Sequence, residues 1–148
     1  MDQELGFAAC IDALGGDETL GARPLRTYRD LDLIVRTGIP TAAFEHAVEL
    51  IGEPETTIAA GIGIARTTLG RRKAAGKLTL DESERVLRLA RVIGLGTKAL
   101  GSGEATGRWL LKPNRALGGV APLGLLQTDL GTREVEAVLG RALLGGYS

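Results

Sequence analysis

Residues 109–126 read WLLKPNRALGGVAPLGLL, and this stretch decides the fold of the second half of the chain. It predicts a short helix that carries the only tryptophan and stops at Pro113, followed by a Gly118-Gly119 turn. A new helix then begins at Pro122, because proline suits the first helical position. The stretch offers no catalytic group. Its shaped apolar surface either packs on its own chain or docks on another, and composition alone favours packing.

The composition predicts an all-α protein of about one domain's size. The 148 residues are 44% hydrophobic but only 3% aromatic, and glycine occurs 22 times. A core of aliphatic side chains suits short packed helices better than a strand-rich sandwich, which uses aromatic and β-branched runs. No pairing of strands is indicated, so we expect helices throughout.

Residues with catalytic or metal-binding potential are few and isolated. Cys10 and His46 are the single cysteine and histidine, so an intrachain disulfide and a zinc site of Cys and His ligands are excluded. We expect Cys10 to lack any nearby cation that would lower its pKa and therefore to be a buried or incidental thiol. His46 has no triad partner, so we interpret it as structural. The stretch 94–99, GLGTKA, matches a dinucleotide loop superficially, but a helix precedes it where that motif requires a β-strand. We expect no enzymatic activity, no cofactor and no metal.

Neither a targeting segment nor a membrane-spanning segment is indicated by the sequence. The chain has one cysteine, which fits a reducing compartment. We therefore expect a cytoplasmic protein that does not associate with a membrane.

A helix-turn-helix is predicted between residues 55 and 75. Ala59, Gly63 and Leu69 have the spacing of a small residue, a turn glycine and a buried anchor. Although the net charge is zero, residues 1–55 hold 11 of the 18 acids and only 4 of the 18 bases, so the remainder is basic. The second helix of the motif has no interspersed acid, which favours DNA contact over a merely solvated face.

The candidate DNA-contacting residues fall into two groups along this second helix. Near the start of the helix, base edges would be read by Arg66, Thr67 and Thr68. Farther along, phosphates would be contacted by Arg71, Arg72 and Lys73. Gly70, in the middle of the helix, costs about 1 kcal/mol relative to Ala and weakens the motif.

The next helix begins at Thr79, whose hydroxyl forms a capping box with Glu82. Its arginines, Arg85, Arg88 and Arg91, have the pattern of a solvated face. We expect residues 94–103 to form a glycine-broken connector after it.

The two ends of the chain have weaker patterns. Residues 1–25 predict a weak helix and then a flexible connector without function. At the other end, Thr132 is expected to cap the last helix, and the Gly145-Gly146 pair to free a short tail.

From Leu33 onward the chain resembles the Xre/MbcA/ParS antitoxins of bacterial toxin–antitoxin pairs. The resemblance covers well over half of the chain and is most specific in the rear half. In order, it rests on Gly38-Ile39-Pro40, on 66–72 (RTTLGRR), on 76–85 (GKLTLDESER), and on Trp109-Leu110, Pro113-Asn114, Leu117-Gly118-Gly119, Pro122-Leu123, Thr128, Gly131, Val135 and Leu139. It implies an N-terminal extension at 1–30, an Xre-like helix-turn-helix domain at 31–78 and a C-terminal toxin-binding domain at 79–148.

The function implied by the resemblance is neutralisation of a RES-domain toxin, an NAD-consuming enzyme with an ADP-ribosyltransferase-like fold, by occlusion of its active site. Such an antitoxin acts as a homodimer within the toxin–antitoxin complex and represses its own operator. Carried over by position, Trp109, Asn114, Leu117 and Pro122 would shape the toxin-binding module. Arg141, Gly146 and Tyr147 would lie near the toxin pocket. The alternative is a DNA-binding regulator without a toxin partner.

Overall fold

Helices account for the secondary structure of this protein in a computed structural model that describes residues 3–21 and 24–145. The described part contains no β-strand, which confirms the predicted all-α class. The helices are α1 (Gln3–Ala13), α2 (Gly16–Leu20), α3 (Tyr28–Thr37), α4 (Thr41–Ile51), α5 (Glu55–Gly61), α6 (Arg66–Ala75), α7 (Leu80–Leu100), α8 (Gly103–Leu111), α9 (Pro122–Leu125) and α10 (Asp129–Leu143), with a 3-10 turn at Arg115–Leu117. Within the described ranges, no helix has both the length and the apolar character needed to cross a bilayer.

The longest helix, α7, lies at the centre of the fold. It packs against α1, α3, α8 and α10, and Leu89 and Ile93 on its inner face are buried in the core. Its start is the predicted capping box. The Thr79 hydroxyl accepts a hydrogen bond from the Glu82 amide at 3.3 Å, and the Glu82 carboxylate accepts one from the Thr79 amide at 3.0 Å. The box satisfies amides that a helix start otherwise leaves unpaired.

The predicted glycine-broken connector at 94–103 is wrong, because α7 continues through it to Leu100. Gly94 and Gly96 are buried inside the helix. A Cβ at Gly94 would lie 2.8 Å from the Cβ of Ala9, and one at Gly96 would lie 2.6 Å from Cγ2 of Thr106. These glycines therefore let α1 and α8 approach α7 closely, and they do not end the helix.

The N-terminal segment belongs to the core. The predicted weak helix is α1, but the flexible connector expected after it is wrong, because residues 16–20 form α2. The segment places Cys10, Leu14 and Leu20 in the buried cluster. Burial of aliphatic side chains overrides the weak local helix signal, since most helical stability in proteins comes from packing.

The last helix begins one turn earlier than expected. Thr128 is its cap, and the Thr128 hydroxyl accepts a hydrogen bond from the amide of Gly131 at 3.0 Å. Thr132 is fully buried, and its hydroxyl donates to the Thr128 carbonyl at 2.8 Å. The predicted cap at Thr132 is therefore wrong. Thr128 and Thr132 are both candidate N-caps in the sequence, but an N-cap needs extended backbone, and Thr128 has that conformation.

Candidate functional site

Helices α5 and α6 form the predicted helix-turn-helix. Ala59 is fully buried between the helices, and Leu69 anchors α6 in the core. Gly63 has φ +86°, a left-handed conformation that glycine adopts without strain. The Ile64 amide donates to the Ala59 carbonyl at 2.8 Å and closes the turn. All three positions of the predicted spacing are confirmed.

The exposed start of α6 presents cations that no acid in the described part of the chain pairs with. Arg66, Thr67 and Arg71 are exposed, and Thr68 is half-buried. The Arg71 guanidinium donates to the Thr68 hydroxyl at 3.3 Å. Neither Arg66 nor Arg71 forms an ion pair within residues 3–21 and 24–145, so both are available to an anionic partner.

The other two bases of α6 are held by acids from neighbouring elements. Nε of Arg72 lies 2.7 Å from Oε1 of Glu82. Nζ of Lys73 lies 2.5 Å from Oε1 of Glu55 and 3.0 Å from Oε2 of Glu45. Hydrogen bonds to Glu55 and Glu45 raise the pKa of the Lys73 ammonium above its usual value. The end of α6 is therefore less positive than the sequence suggests, because Glu45 and Glu82 are close in space and distant in sequence.

The Glu82 carboxylate serves both the capping box and the ion pair. Burial alone would raise the pKa of Glu82, but the Arg72 guanidinium and the Thr79 donors hold it below its ordinary range. A buried carboxylate that accepts hydrogen bonds from the Arg72 guanidinium and the Thr79 amide is fixed in place. Glu82 thus ties the end of α6 to the start of α7.

The prediction that the α7 arginines form a solvated face is wrong. Nη1 of Arg85 donates to the carbonyls of Ile62 and Gly63 at 3.2 and 2.9 Å. The guanidinium of Arg88 donates to the carbonyls of Leu126 and Gln127 at 2.9 and 2.8 Å. The rigid fork of an arginine suits such paired acceptors, which a pattern of nearby charges does not reveal.

Arg91 and Cys10 lie together where α1, α7 and α10 meet. Nη2 of Arg91 is 2.9 and 3.0 Å from the two carboxylate oxygens of Glu136. Burial raises the pKa of the Cys10 thiol to about 12, and the nearby Arg91 only partly opposes this rise. The expected burial of Cys10 is confirmed, but the expectation that it has no cation nearby is wrong.

His46 has a structural contact, since its Nδ1 lies 3.2 Å from the carbonyl oxygen of Ala13. Its helix, α4, thus touches the end of α1 at this point. No group of three or more His, Cys, Asp or Glu side chains in the described part of the chain is placed to hold a metal ion.

Two of the four proposed module-shaping residues, Trp109 and Asn114, are half-buried, and the other two are buried. Leu117 and Pro122 are buried, and Pro122 occupies the first turn of α9, as predicted. The Asn114 side chain accepts a hydrogen bond from the Ala116 amide at 2.9 Å and starts the 3-10 turn. Trp109 packs against the core, and its buried Nε1 has no hydrogen-bond partner among the described residues.

The outer face of α10 carries apolar groups that the described part of the chain does not cover. Leu130 is 77% exposed and Leu144, which ends the helix, is 87% exposed. Ala137 and Arg141 are exposed between them. Leu130, Ala137 and Leu144 are spaced by seven residues, which places them on one side of the helix. We call these four residues the α10 outer face. Gly146 and Tyr147 lie outside the described residues.

Comparison with known proteins gives two family matches in tandem. Residues 30–91 match the antitoxin Xre-like helix-turn-helix domain. Residues 95–143 match the antitoxin Xre/MbcA/ParS C-terminal toxin-binding domain.

Among individual proteins, the chain is similar to Antitoxin Xre of Pseudomonas putida, with 35% identity over 74 residues that make up 50% of this chain and 46% of that protein. It is 31% identical to Antitoxin Xre of Photorhabdus laumondii over 114 residues, 75% of this chain and 76% of that protein. A Sphingobium protein named Prs ADP-ribosylating antitoxin is 29% identical over 120 residues, 74% of this chain and 73% of that protein.

Proposed function

Because the chain belongs to the Xre/MbcA/ParS antitoxin family, we propose that it neutralises a RES-domain toxin, an NAD-consuming enzyme of ADP-ribosyltransferase-like fold, by covering the toxin's active site. The family is one of toxin-binding proteins and not of enzymes. The name of the Sphingobium relative connects that protein with ADP-ribosylation, which supports a toxin of this chemistry. Inhibition by coverage requires shape and apolar surface, and no reacting group.

The observation that carries the proposal is the α10 outer face. Leu130, inside the matched toxin-binding segment, and Leu144, directly after it, are left in water on one side of the last helix. Exposed apolar side chains at helical spacing are how an amphipathic helix docks in a partner's groove. Arg141 lies between them, where its guanidinium can pair with a carboxylate or a phosphate. We also propose that Gly146 and Tyr147 contact the toxin near its pocket.

Trp109, Asn114, Leu117 and Pro122 have a different role in the proposal. Their packing and capping contacts support the corner between α8 and α10, so they set the position of the α10 outer face. They act on the toxin through the shape of the module.

The test is co-expression with the product of the adjacent reading frame, followed by affinity measurement on the purified pair. Leu130→Ala removes apolar contact area worth about 1–2 kcal/mol, which should weaken binding about 5- to 30-fold. Leu33→Ala is the matched control, because Leu33 is also exposed but lies on α3, outside the toxin-binding segment. Equal affinity of both variants and wild type would remove the α10 outer face from the mechanism. Deletion of residues 146–148 tests Gly146 and Tyr147 in the same assay.

A second activity, operator binding by a homodimer, is favoured by Arg66 and Arg71 at the exposed start of α6, which no acid in the described part of the chain pairs with. Two copies would place two such helices in successive major grooves. The proposed contacts are Arg66, Thr67, Thr68, Arg71, Arg72 and Lys73. The last two must exchange their carboxylate partners for phosphates, whereas Arg66 and Arg71 need no exchange. This activity alone, without a toxin partner, is the alternative function.

Operator binding is tested with a duplex that carries the DNA upstream of the reading frame. Each lost phosphate contact lowers the slope of log affinity against log salt by about one. Arg71→Ala should reduce both affinity and slope. Glu134→Ala replaces an exposed residue on α10 and serves as the control. It should leave the affinity and the salt slope unchanged. An unchanged slope in Arg71→Ala would mean that the basic face is only solvated.

A further inference from the structure

Two side chains from outside the helix-turn-helix hold its turn. The amide Nε2 of Gln127 donates to the carbonyl of Gly61 at 3.0 Å. Nη1 of Arg85 donates to the next two carbonyls, those of Ile62 and Gly63, at 3.2 and 2.9 Å. Three consecutive carbonyls of the turn are therefore covered. Arg85 comes from α7, and Gln127 comes from the segment that matches the toxin-binding domain.

These carbonyls need outside partners because of where α5 ends. The last carbonyls of a helix have no amide ahead of them to accept from. Helix α5 ends at Gly61, and the backbone then turns through Gly63 toward α6. Without the two side chains, the carbonyls would bond only to water, and the angle between α5 and α6 would be less firmly fixed.

Gln127 is itself fixed to α7. Arg88, less than one helical turn after Arg85, donates to the carbonyls of Leu126 and Gln127 at 2.9 and 2.8 Å. The end of α5 also touches α9, since a Cβ at Gly61 would lie 2.2 Å from Cδ2 of Leu123. The turn of the helix-turn-helix and the connection between α9 and α10 are thus joined directly and through neighbouring arginines.

We propose that Gln127, in the toxin-binding part of the chain, is a positioning residue of the DNA-binding unit that fixes the turn from which α6 is presented. This inference rests on the operator binding proposed above. It means that the helix-turn-helix is completed by the toxin-binding part. A partner that moves residues 126–127 changes DNA affinity, and DNA changes the affinity for that partner by the same factor.

The first test needs no DNA. Gln127→Met keeps the length and shape of the side chain but removes its amide, and Gln127 is exposed, so the variant should fold. Amide hydrogen exchange at Gly63 and Ile64 should accelerate about tenfold, while that of Val138 in α10 stays unchanged. Gln127→Lys retains a long donor and should restore slow exchange. Unchanged exchange in Gln127→Met would overturn the proposal.

The second test measures affinity and salt dependence on the same upstream duplex. Gln127→Met should bind about fivefold more weakly with an unchanged salt slope, because no phosphate contact is lost. A reduced slope would make Gln127 a phosphate contact and overturn its positioning role. Unchanged affinity despite faster exchange would also overturn it. If the wild-type protein does not bind the duplex, operator binding fails, and the exchange experiment still decides whether Gln127 holds the turn.

Discussion

A Gly107→Ala substitution measures how closely the toxin-binding part packs on the helix-turn-helix part. Gly107 lies where α8 crosses the end of α4, and a Cβ there would be 2.2 Å from the carbonyl oxygen of Ile51 and 3.0 Å from its Cβ. A backbone carbonyl cannot rotate away, so the two helices must separate by about 1 Å. Overpacking of this kind costs about 1–3 kcal/mol, and the better helix propensity of alanine offsets up to about 1 kcal/mol.

The expected net decrease in the free energy of unfolding is about 1–2 kcal/mol, which lowers Tm by roughly 5 °C for a chain of this size. Gly70→Ala is the matched control, because Gly70 is likewise the fifth residue of its helix, α6, but an added Cβ there would have no atom within 4 Å beyond its chain neighbours and its own helix backbone. The free energy of unfolding of the Gly70→Ala variant should rise by about 1 kcal/mol. Calorimetry or urea unfolding of both variants gives the comparison. A Gly107→Ala protein at least as stable as wild type would refute the close contact between α4 and α8.

Two further predictions concern ionisable groups. Because burial raises the pKa of Cys10 to about 12, the native protein at pH 8 should resist alkylation by iodoacetamide, whereas the guanidinium-unfolded protein should react fully; equal rates would show that the thiol is accessible. Glu82→Gln keeps a capping-box residue but removes the charge beside Arg72. Its free energy of unfolding should therefore be about 1 kcal/mol lower than that of the wild type at pH 7. The folded pKa of Glu82 is lowered, so wild-type stability from this pair is present above pH 4.5 and lost as pH falls below it. The difference between the two proteins should therefore vanish in acid, and a constant difference in urea midpoints down to pH 2 would contradict the ion pair.

Signals that act over a few residues were predictable from the sequence. The capping box at Thr79, the helix start at Pro122 and the turn at Gly63 each depend on the backbone of the next three or four residues. The helix-turn-helix was predictable from the spacing of Ala59, Gly63 and Leu69 for the same reason. The division of the chain at residue 78 stays a prediction.

Features that depend on distant partners were not predictable. Arg85 and Arg88 have carbonyl partners 22 to 39 residues away, so a pattern of charges along α7 could not identify them. Gly94 and Gly96 have the local signature of a helix end, and only the positions of α1 and α8 show that they are contact points. The neutralisation of Lys73 likewise requires knowing that Glu45 is near.

The continuity of α7 has a genetic consequence. One family match ends at Arg91 and the next begins at Leu95, both within this single helix. Substitutions at Leu89 or Ile93 disturb a core that both segments share. In a mutant screen scored for repression and for protection from the toxin, alleles at these positions should lose both phenotypes together. Alleles that separate the two phenotypes should map to the exposed start of α6 or to the α10 outer face.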